Sequence, residues 1–382
     1  MLKSFEVQNF RGLKGRTTID FSRTKKYGFN TDLIRNDLIN KMLIVGKNGC
    51  GKTNLGLALF DIVLTLTDRN VEDMQRNPVS FLNGYGGLPY AEFRHEFQFD
   101  DDVVTYTYRK DTPDSIIYEE LSMNGKRIFL RDGNESDFSG LADYNAGSVR
   151  INPDNNRLSV LKFVWNNTDQ DASSPIAKVM GFVEGMLYVR YVNGNTYSGL
   201  MKGAESVSGY IAENRLEKEL QKFLIDESGL DVELGVKNGS DGTPNLVLMT
   251  DNGTIPFNDI ASSGTRALML FFYWMKHFND VTFIFLDEFD AYYHYSLSEN
   301  IFKLMCSFKG FQTVFTSHNS SLVSNRISRP DCCLMMTDGT VGSFAERTER
   351  ELREGHNIEK LMRGGEFDEF ETHPVRDRRE KG

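Results

Sequence analysis

Four groups of residues in this chain have types and spacings that could do chemistry. Gly46-Lys47-Asn48-Gly49-Cys50-Gly51-Lys52-Thr53 completes the pattern G-x-x-x-x-G-K-[ST], with Asn54 directly after it. Such a loop wraps a phosphate with backbone N–H groups, and its glycines allow an approach that a Cβ would block. Lys52 supplies a cation for the β/γ oxygens, and the Thr53 hydroxyl is a hard oxygen ligand for Mg²⁺. Asp287-Glu288 closes the apolar run Val281 to Leu286. There Asp287 suits a Mg²⁺ ligand, and Glu288 suits a general base or water-positioning group. His318 ends the run Thr313 to Ser317 and suits a γ-phosphate contact or a hydrogen bond to Glu288. Ala261-Ser262-Ser263-Gly264-Thr265 precedes an apolar helix, Arg266 to Phe278, and small hydroxyl residues at a helix start suit either a second anion contact or an ordinary cap.

These groups need particular elements to position them. Met42 to Val45 is short and wholly apolar, as a central parallel strand is, and Asn54 to Leu64 has helical spacing. A strand, the loop and a helix in that order place the anion at the positive end of the helix dipole. Val281 to Leu286 and Thr313 to Ser317 read as two more buried strands, joined by a helix from Leu297 to Phe308. That order expects Asp287, Glu288 and His318 on one sheet edge beside the loop. Leu2 to Phe10 and Thr17 to Phe21 read as a hairpin; Ala91 to Asp100, Val103 to Tyr108, Ser115 to Leu121 and Lys126 to Leu130 read as an antiparallel meander. Leu158 to Trp165, Pro175 to Leu187 and Glu205 to Leu224 have helical spacing, and strands return at Val232 to Val236 and Leu246 to Thr250.

The bulk properties are those of an ordinary globular chain: 382 residues, 40% apolar and 26% charged. The longest apolar run, Ala267 to Met275, is too short to span a bilayer, and no apolar leader follows Met1-Leu2-Lys3. Cys50, Cys306, Cys332 and Cys333 show no C-x-x-C pair and read as reduced thiols in a cytoplasmic protein. A net charge of −10 argues against general affinity for nucleic acid. The first thirty residues depart from that balance, with Lys3, Arg11, Lys14, Arg16, Arg23, Lys25 and Lys26 against Glu6 and Asp20. They leave a solvated rim and a DNA-facing patch both open.

Taken in order, Gly46–Thr53, Ala261–Thr265, Leu286-Asp287-Glu288 and His318 resemble the Walker A loop, signature, Walker B pair and switch histidine of an ABC-type ATPase head. Phe5-Glu6-Val7-Gln8-Asn9-Phe10-Arg11, Gly56-Leu57-Ala58 and Thr316-Ser317-His318-Asn319 resemble the SMC/RecF/OLD branch of that family. The resemblance implies an α/β fold: a P-loop NTPase head with a mixed core sheet flanked by helices, an antiparallel β lobe and a mainly helical insertion. It divides the chain into a discontinuous core (1–85 and 231–345), a β lobe (86–150), a helical insertion (151–230) and a charged C-terminal segment (346–382).

The resemblance also implies ATP and Mg²⁺, with Thr53 and Asp287 on the metal and Lys52, Glu288 and His318 as the catalytic groups. Ser262, Ser263, Gly264 and Thr265 would meet ATP held by a second copy of the chain, so a homodimer closes head to tail. Lys41 to Asp68 and Arg353 to Leu361 resemble compact prokaryotic ATPases of anti-phage abortive-infection operons, which implies a sensor, regulatory or scaffold subunit for a separate effector protein. A RecF-like DNA-binding ATPase is the alternative.

The pattern is not followed throughout. The signature reads Ala-Ser-Ser-Gly-Thr where the family reads Leu-Ser-Gly-Gly-Gln/Glu, so Ser263 replaces a glycine. No Q-loop stands out, with Gln98 the one candidate, and Arg11, Tyr27 and Phe29 lie in the region expected to supply adenine contacts. OLD-type nucleases carry a Toprim domain with a late D-x-D; here a D-x-D such as Asp169-Gln170-Asp171 lies ahead of the signature, so no nuclease is expected.

Overall fold

A computed structural model describes residues 1–69, 80–192, 195–200, 206–240 and 242–367. The chain opens with β1 (Leu2–Gln8) and β2 (Thr17–Asp20), then a small ladder of β3 (Ile34–Arg35) and β4 (Leu38–Ile39). Next come β5 (Lys41–Val45) and α1 (Lys52–Leu66). The meander follows as β6 (Ala91–Phe99), β7 (Asp102–Thr112), β8 (Ser115–Met123) and β9 (Lys126–Arg131). After α2 (Val160–Asn167) and α3 (Pro175–Glu184) the chain forms β10 (Met186–Arg190) and β11 (Thr196–Gly199). Two helices, α4 (Val207–Glu213) and α5 (Glu217–Ser228), lead to β12 (Leu234–Asn238), β13 (Pro244–Thr250) and β14 (Gly253–Pro256). The last third runs α6 (Phe257–Ile260), α7 (Ser263–Met275), β15 (Phe283–Asp287), α8 (Tyr295–Ser307), β16 (Gln312–Ser317), β17 (Cys333–Thr337), β18 (Thr340–Ser343) and α9 (Ile358–Arg363).

The core sheet has the order β11-β10-β15-β16-β5-β17-β18. Its five inner strands are parallel, and its two edge strands pair antiparallel. Every residue of β5, β15 and β16 is buried, because helices or the second sheet cover both faces. The second sheet, β2-β1-β6-β7-β8-β9, is wholly antiparallel. Along β6 the alternation is clean: Ala91, Phe93, His95 and Phe97 point to the core, while Glu92, Arg94 and Glu96 face outward.

Helix α1 lies between the sheets, against β1 on one side and β10 and β15 on the other. Gly56 permits that contact, since a Cβ there would lie 2.5 Å from the Phe285 ring and 2.8 Å from the Tyr188 ring.

Two expectations are corrected. The helix predicted to run through Leu187 stops at Glu184, and Met186–Arg190 is a core strand inside the stretch expected to be a helical insertion. Gly185 makes the break possible, because its carbonyl accepts from Thr282 N–H at 2.9 Å and an added Cβ would meet Thr282 at 2.6 Å. The single helix expected from Glu205 begins outside the described residues. Within them it divides into α4 and α5 where Arg215 adopts a positive φ of 54°. At the other end, the charged segment after residue 345 packs on the core as far as Phe367, whose ring meets Phe344 at 4.7 Å. The tail expected from His373 lies outside the described residues.

Candidate functional site

Strand β16 sits between β5 and β15, with Ser317 paired to Val45 and Phe315 to Leu286. Three neighbouring strands therefore end at one level, and each ends in a group the sequence singled out. The loop leaves β5, His318 follows β16, and Asp287-Glu288 closes β15.

The loop is shaped to receive an anion. Gly49 and Gly51 take φ values of 78° and 110°, which L side chains resist. An added Cβ at Gly46 would lie 2.6 Å from the Met336 carbonyl, so the loop rests directly on the hairpin of β17 and β18. The N-terminus of α1 is capped by Gly51 with no side-chain acceptor, and its first turn holds no acidic residue. Its free N–H groups and dipole are left to a ligand.

Those residues open onto a cavity of about 290 Å³ lined by Asn48, Gly49, Gly51, Lys52, Thr53, Asn54, Glu288 and His318. Lys52 is buried and its Nζ donates to the carbonyls of Gly46 at 2.9 Å and Lys47 at 3.2 Å. Burial holds its ammonium below the ordinary lysine range, against the pull of Cys50, Glu288 and Asp287. Nδ1 of His318 lies 3.0 Å from the Gly46 carbonyl, and its Nε2 lies 3.5 Å from Glu288 Oε1.

Asp287 is fully buried behind this row. Its Oδ2 accepts from the hydroxyls of Thr53 and Tyr188, each at 2.9 Å, and its Oδ1 accepts from Thr316 Oγ1 at 2.7 Å. The Thr316 hydroxyl also accepts from the Glu288 backbone N–H at 2.8 Å, while Ser317 Oγ donates to Asp290 Oδ2 at 2.7 Å. Burial, then the Asp287 charge, pushes the Tyr188 hydroxyl well above the usual tyrosine range, so it stays protonated and donates.

A hydroxyl and a carboxylate 2.9 Å apart are a hard-oxygen pair. That set fits Mg²⁺, which takes one or two protein oxygens and fills its shell with water and phosphate. Among the described residues no cluster of three or more His, Cys, Asp or Glu forms a cage for another metal.

The signature segment stands apart. None of Ser262, Ser263, Gly264 and Thr265 lines the cavity. Ser262 caps α7, its Oγ accepting from Thr265 N–H at 3.1 Å, and Ser263 is the first residue of the helix. A Cβ on Gly264 would lie 3.0 Å from the Tyr292 carbonyl, which puts the helix start against the loop that follows Glu288.

Gln98, Tyr27 and Phe29 are likewise absent from the cavity lining, whereas Arg11 lies in a turn beside it: a Cβ on the adjacent Gly12 would lie 2.7 Å from the side chain of Asn54. Gln98 bonds across to Met1, while the Tyr27 ring packs tilted against Phe29 and beneath Arg329. The residues that reading the sequence missed are Tyr188, Arg190 and Thr316. The first two sit on β10, whose strand signal was the aromatic and β-branched run after Gly185.

Residues 203–324 match the family model described as "AAA domain, putative AbiEii toxin, Type IV TA system". No curated protein matches the chain. Among solved structures it is similar to an SMC head bound to the C-terminal winged-helix domain of ScpA, at 17% identity over 90% of this chain and 97% of that one, with a TM-score of 0.46. It is also similar to the SMC head domain of Thermotoga maritima, at 14% identity over 89% and 97% of the two chains, with a TM-score of 0.43. An SMC head with an extended coiled coil from Pyrococcus furiosus, bound to the C-terminal domain of ScpA, gives 15% identity over 95% and 98%, with a TM-score of 0.42. By its strand order, phosphate loop and acidic pair, the chain has a P-loop NTPase fold, similar over residues 203–324 to AAA domains of the AbiEii toxin type.

Proposed function

We propose that the chain binds and hydrolyses ATP, and that ATP holds two copies together head to tail. The observation that carries this reading is the division of the site. Lys52, Thr53, Glu288 and His318 line one cavity, while Ser262–Thr265 form an exposed helix start that does not reach it. A second copy is the source of a signature segment able to cover the γ-phosphate side.

In this reading the N-terminus of α1 and Lys52 bind the phosphates, Glu288 orients the attacking water and accepts its proton, and His318 holds Glu288 and the γ-phosphate side in register. Mg²⁺, held by Thr53 and Asp287, would supply charge neutralisation of the phosphate oxygens. Loss of the γ-phosphate removes a contact shared by both copies, which favours opening.

The similarity to a toxin-type AAA domain supports a place in a defence or toxin system, with this chain as the ATP-operated regulatory subunit of a separate effector. The reading includes a cytoplasmic setting and no nuclease of its own. Among the described residues no helix is long and apolar enough to cross a membrane. The DNA-binding alternative is the less favoured, because three of the seven basic N-terminal residues are engaged in ion pairs: Lys3 with Glu96, Arg16 with Glu6 and Glu92, Arg23 with Asp20 and Glu346.

Glu288→Gln tests the proposal. With ATP and Mg²⁺ it should accumulate as a dimer in light scattering, and Lys52→Ala should stay monomeric. An unchanged monomer fraction with and without ATP would sink the dimer reading.

A further inference from the structure

Strand β10 brings a second cation to the metal end of the site. It lies parallel to β15, with Arg190 paired in register to Asp287, and alternate residues of a strand share a face. Tyr188 and Arg190 therefore both reach the same carboxylate. Tyr188 takes Oδ2 with its hydroxyl at 2.9 Å, and Arg190 Nε lies 3.7 Å from that same oxygen.

Three features set this contact apart from an ordinary ion pair. Asp287 has 0% of its side chain exposed, so its charge must be compensated locally. Lys52, the other nearby cation, spends its Nζ on loop carbonyls. The Arg190 Nε is itself buried and makes no hydrogen bond, although 36% of that side chain is exposed. An arginine held at ion-pair range without a hydrogen bond, with part of its length in water, is free to leave.

We infer that Arg190 is a resident counter-cation for Asp287: it neutralises the carboxylate in the nucleotide-free protein and gives way when a divalent cation is taken up. Arg190 is then a positioning residue that sets how much metal the site requires. The inference rests on the reading of Thr53 and Asp287 as metal ligands. It adds that metal binding here is an exchange of one cation for another. An arginine that competes for the carboxylate weakens metal affinity, and its removal strengthens it.

The test is a titration of Mn²⁺ into the full chain with one equivalent of ADP, with free Mn²⁺ followed by electron paramagnetic resonance. Arg190→Gln should bind Mn²⁺ about tenfold more tightly than wild type, the equivalent of about 1.4 kcal/mol. Arg190→Lys, which keeps the charge, should stay close to wild type, and Asp287→Asn should lose the site in either background. Melting curves in EDTA give a second readout: Arg190→Gln should melt below wild type and recover when Mn²⁺ is added. Equal or weaker Mn²⁺ affinity in Arg190→Gln overturns the inference, as does a lysine variant that tightens binding as much as glutamine. In both cases a wild type that binds the metal normally leaves the ATPase reading standing. A wild type that binds no more Mn²⁺ than ADP alone overturns both.

Discussion

Thr316→Val removes one hydroxyl and should separate the fold from the chemistry. Thr316 is fully buried; its Oγ1 donates to Asp287 Oδ1 at 2.7 Å and accepts from the Glu288 backbone N–H at 2.8 Å. A hydrogen bond to an ionised group contributes about 1.5–3 kcal/mol, and a neutral one about 0.5–1.5 kcal/mol. Valine keeps the shape and loses both. Against that loss, Glu288 sits at a φ of 49°, a left-handed conformation. For a residue other than glycine such a conformation costs about 1–3 kcal/mol. Once its N–H is released, that backbone relaxes and recovers part of the loss, so the net cost of the substitution should be about 1–3 kcal/mol. Turnover should suffer more, because the relaxation that restores stability carries the Glu288 carboxylate out of position. A fall in kcat of about ten- to a hundredfold is expected, about 1.4–2.8 kcal/mol in the barrier. Thr316→Ser, which keeps the hydroxyl, should retain most of both. The assays are phosphate release under saturating ATP and urea unfolding followed by the fluorescence of Trp165 and Trp274. Wild-type turnover in the valine variant, or equal damage in the serine variant, would refute the reasoning.

Two further outcomes are expected. Lys110 and Asp61 form a buried ion pair at 2.7 Å that ties β7 to α1. Lys110→Met should cost about 3–5 kcal/mol in urea unfolding, with part of it regained by adding Asp61→Asn; a loss under about 1 kcal/mol would mean the pair is solvated. Burial also pulls Lys41 from 10.5 down to about 7, its Nζ donating to the Phe311 carbonyl at 2.6 Å. Between those values the unfolded chain binds a proton that the folded chain does not, so stability from this position rises with pH above about 7, and the charged form is penalised in full below it. Unfolding midpoints of wild type and Lys41→Met should therefore shift in favour of wild type from about pH 6 to about pH 9, and a difference that does not change with pH would disprove it.

What the sequence disclosed followed the range of each signal. The loop, the acidic pair and His318 were legible because each is a short pattern with a strand before it. The meander of β6 to β9 was legible because half-buried antiparallel strands alternate cleanly. Strand β10 was not, since four apolar residues after a helix read equally well as its last turn. With β10 went Tyr188 and Arg190, which meet Asp287 across about a hundred residues of sequence. Thr316 lay inside a quoted motif, yet its bridge between Asp287 and Glu288 needs the neighbouring strand to be visible. The signature segment shows the opposite case. It opens a helix as expected, but its side chains act locally as a helix cap, and nothing local says what they meet.

The resting site is satisfied by its own groups, and this bears on how ATP could control association. Lys52 bonds loop carbonyls, Thr53 and Thr316 bond Asp287, and His318 faces Gly46. Nucleotide binding here is an exchange of partners, so the net gain from each contact is modest. The groups differ in what surrounds them. Lys52 and Asp287 are buried and would treat the β-phosphate and metal alike with ATP or ADP, whereas the Glu288 and His318 side chains remain 28% and 37% exposed. Beyond Lys52, which reaches both β and γ oxygens, those two are the groups that would meet a γ-phosphate, and in water their electrostatic contribution is small. It grows only when something covers them and excludes solvent. Discrimination between ATP and ADP by this chain alone should therefore be weak and should strengthen with closure. A site whose selective groups are the uncovered ones has its selectivity tied to the cover, which is the physical reason to look for ATP dependence in association before looking for it in affinity.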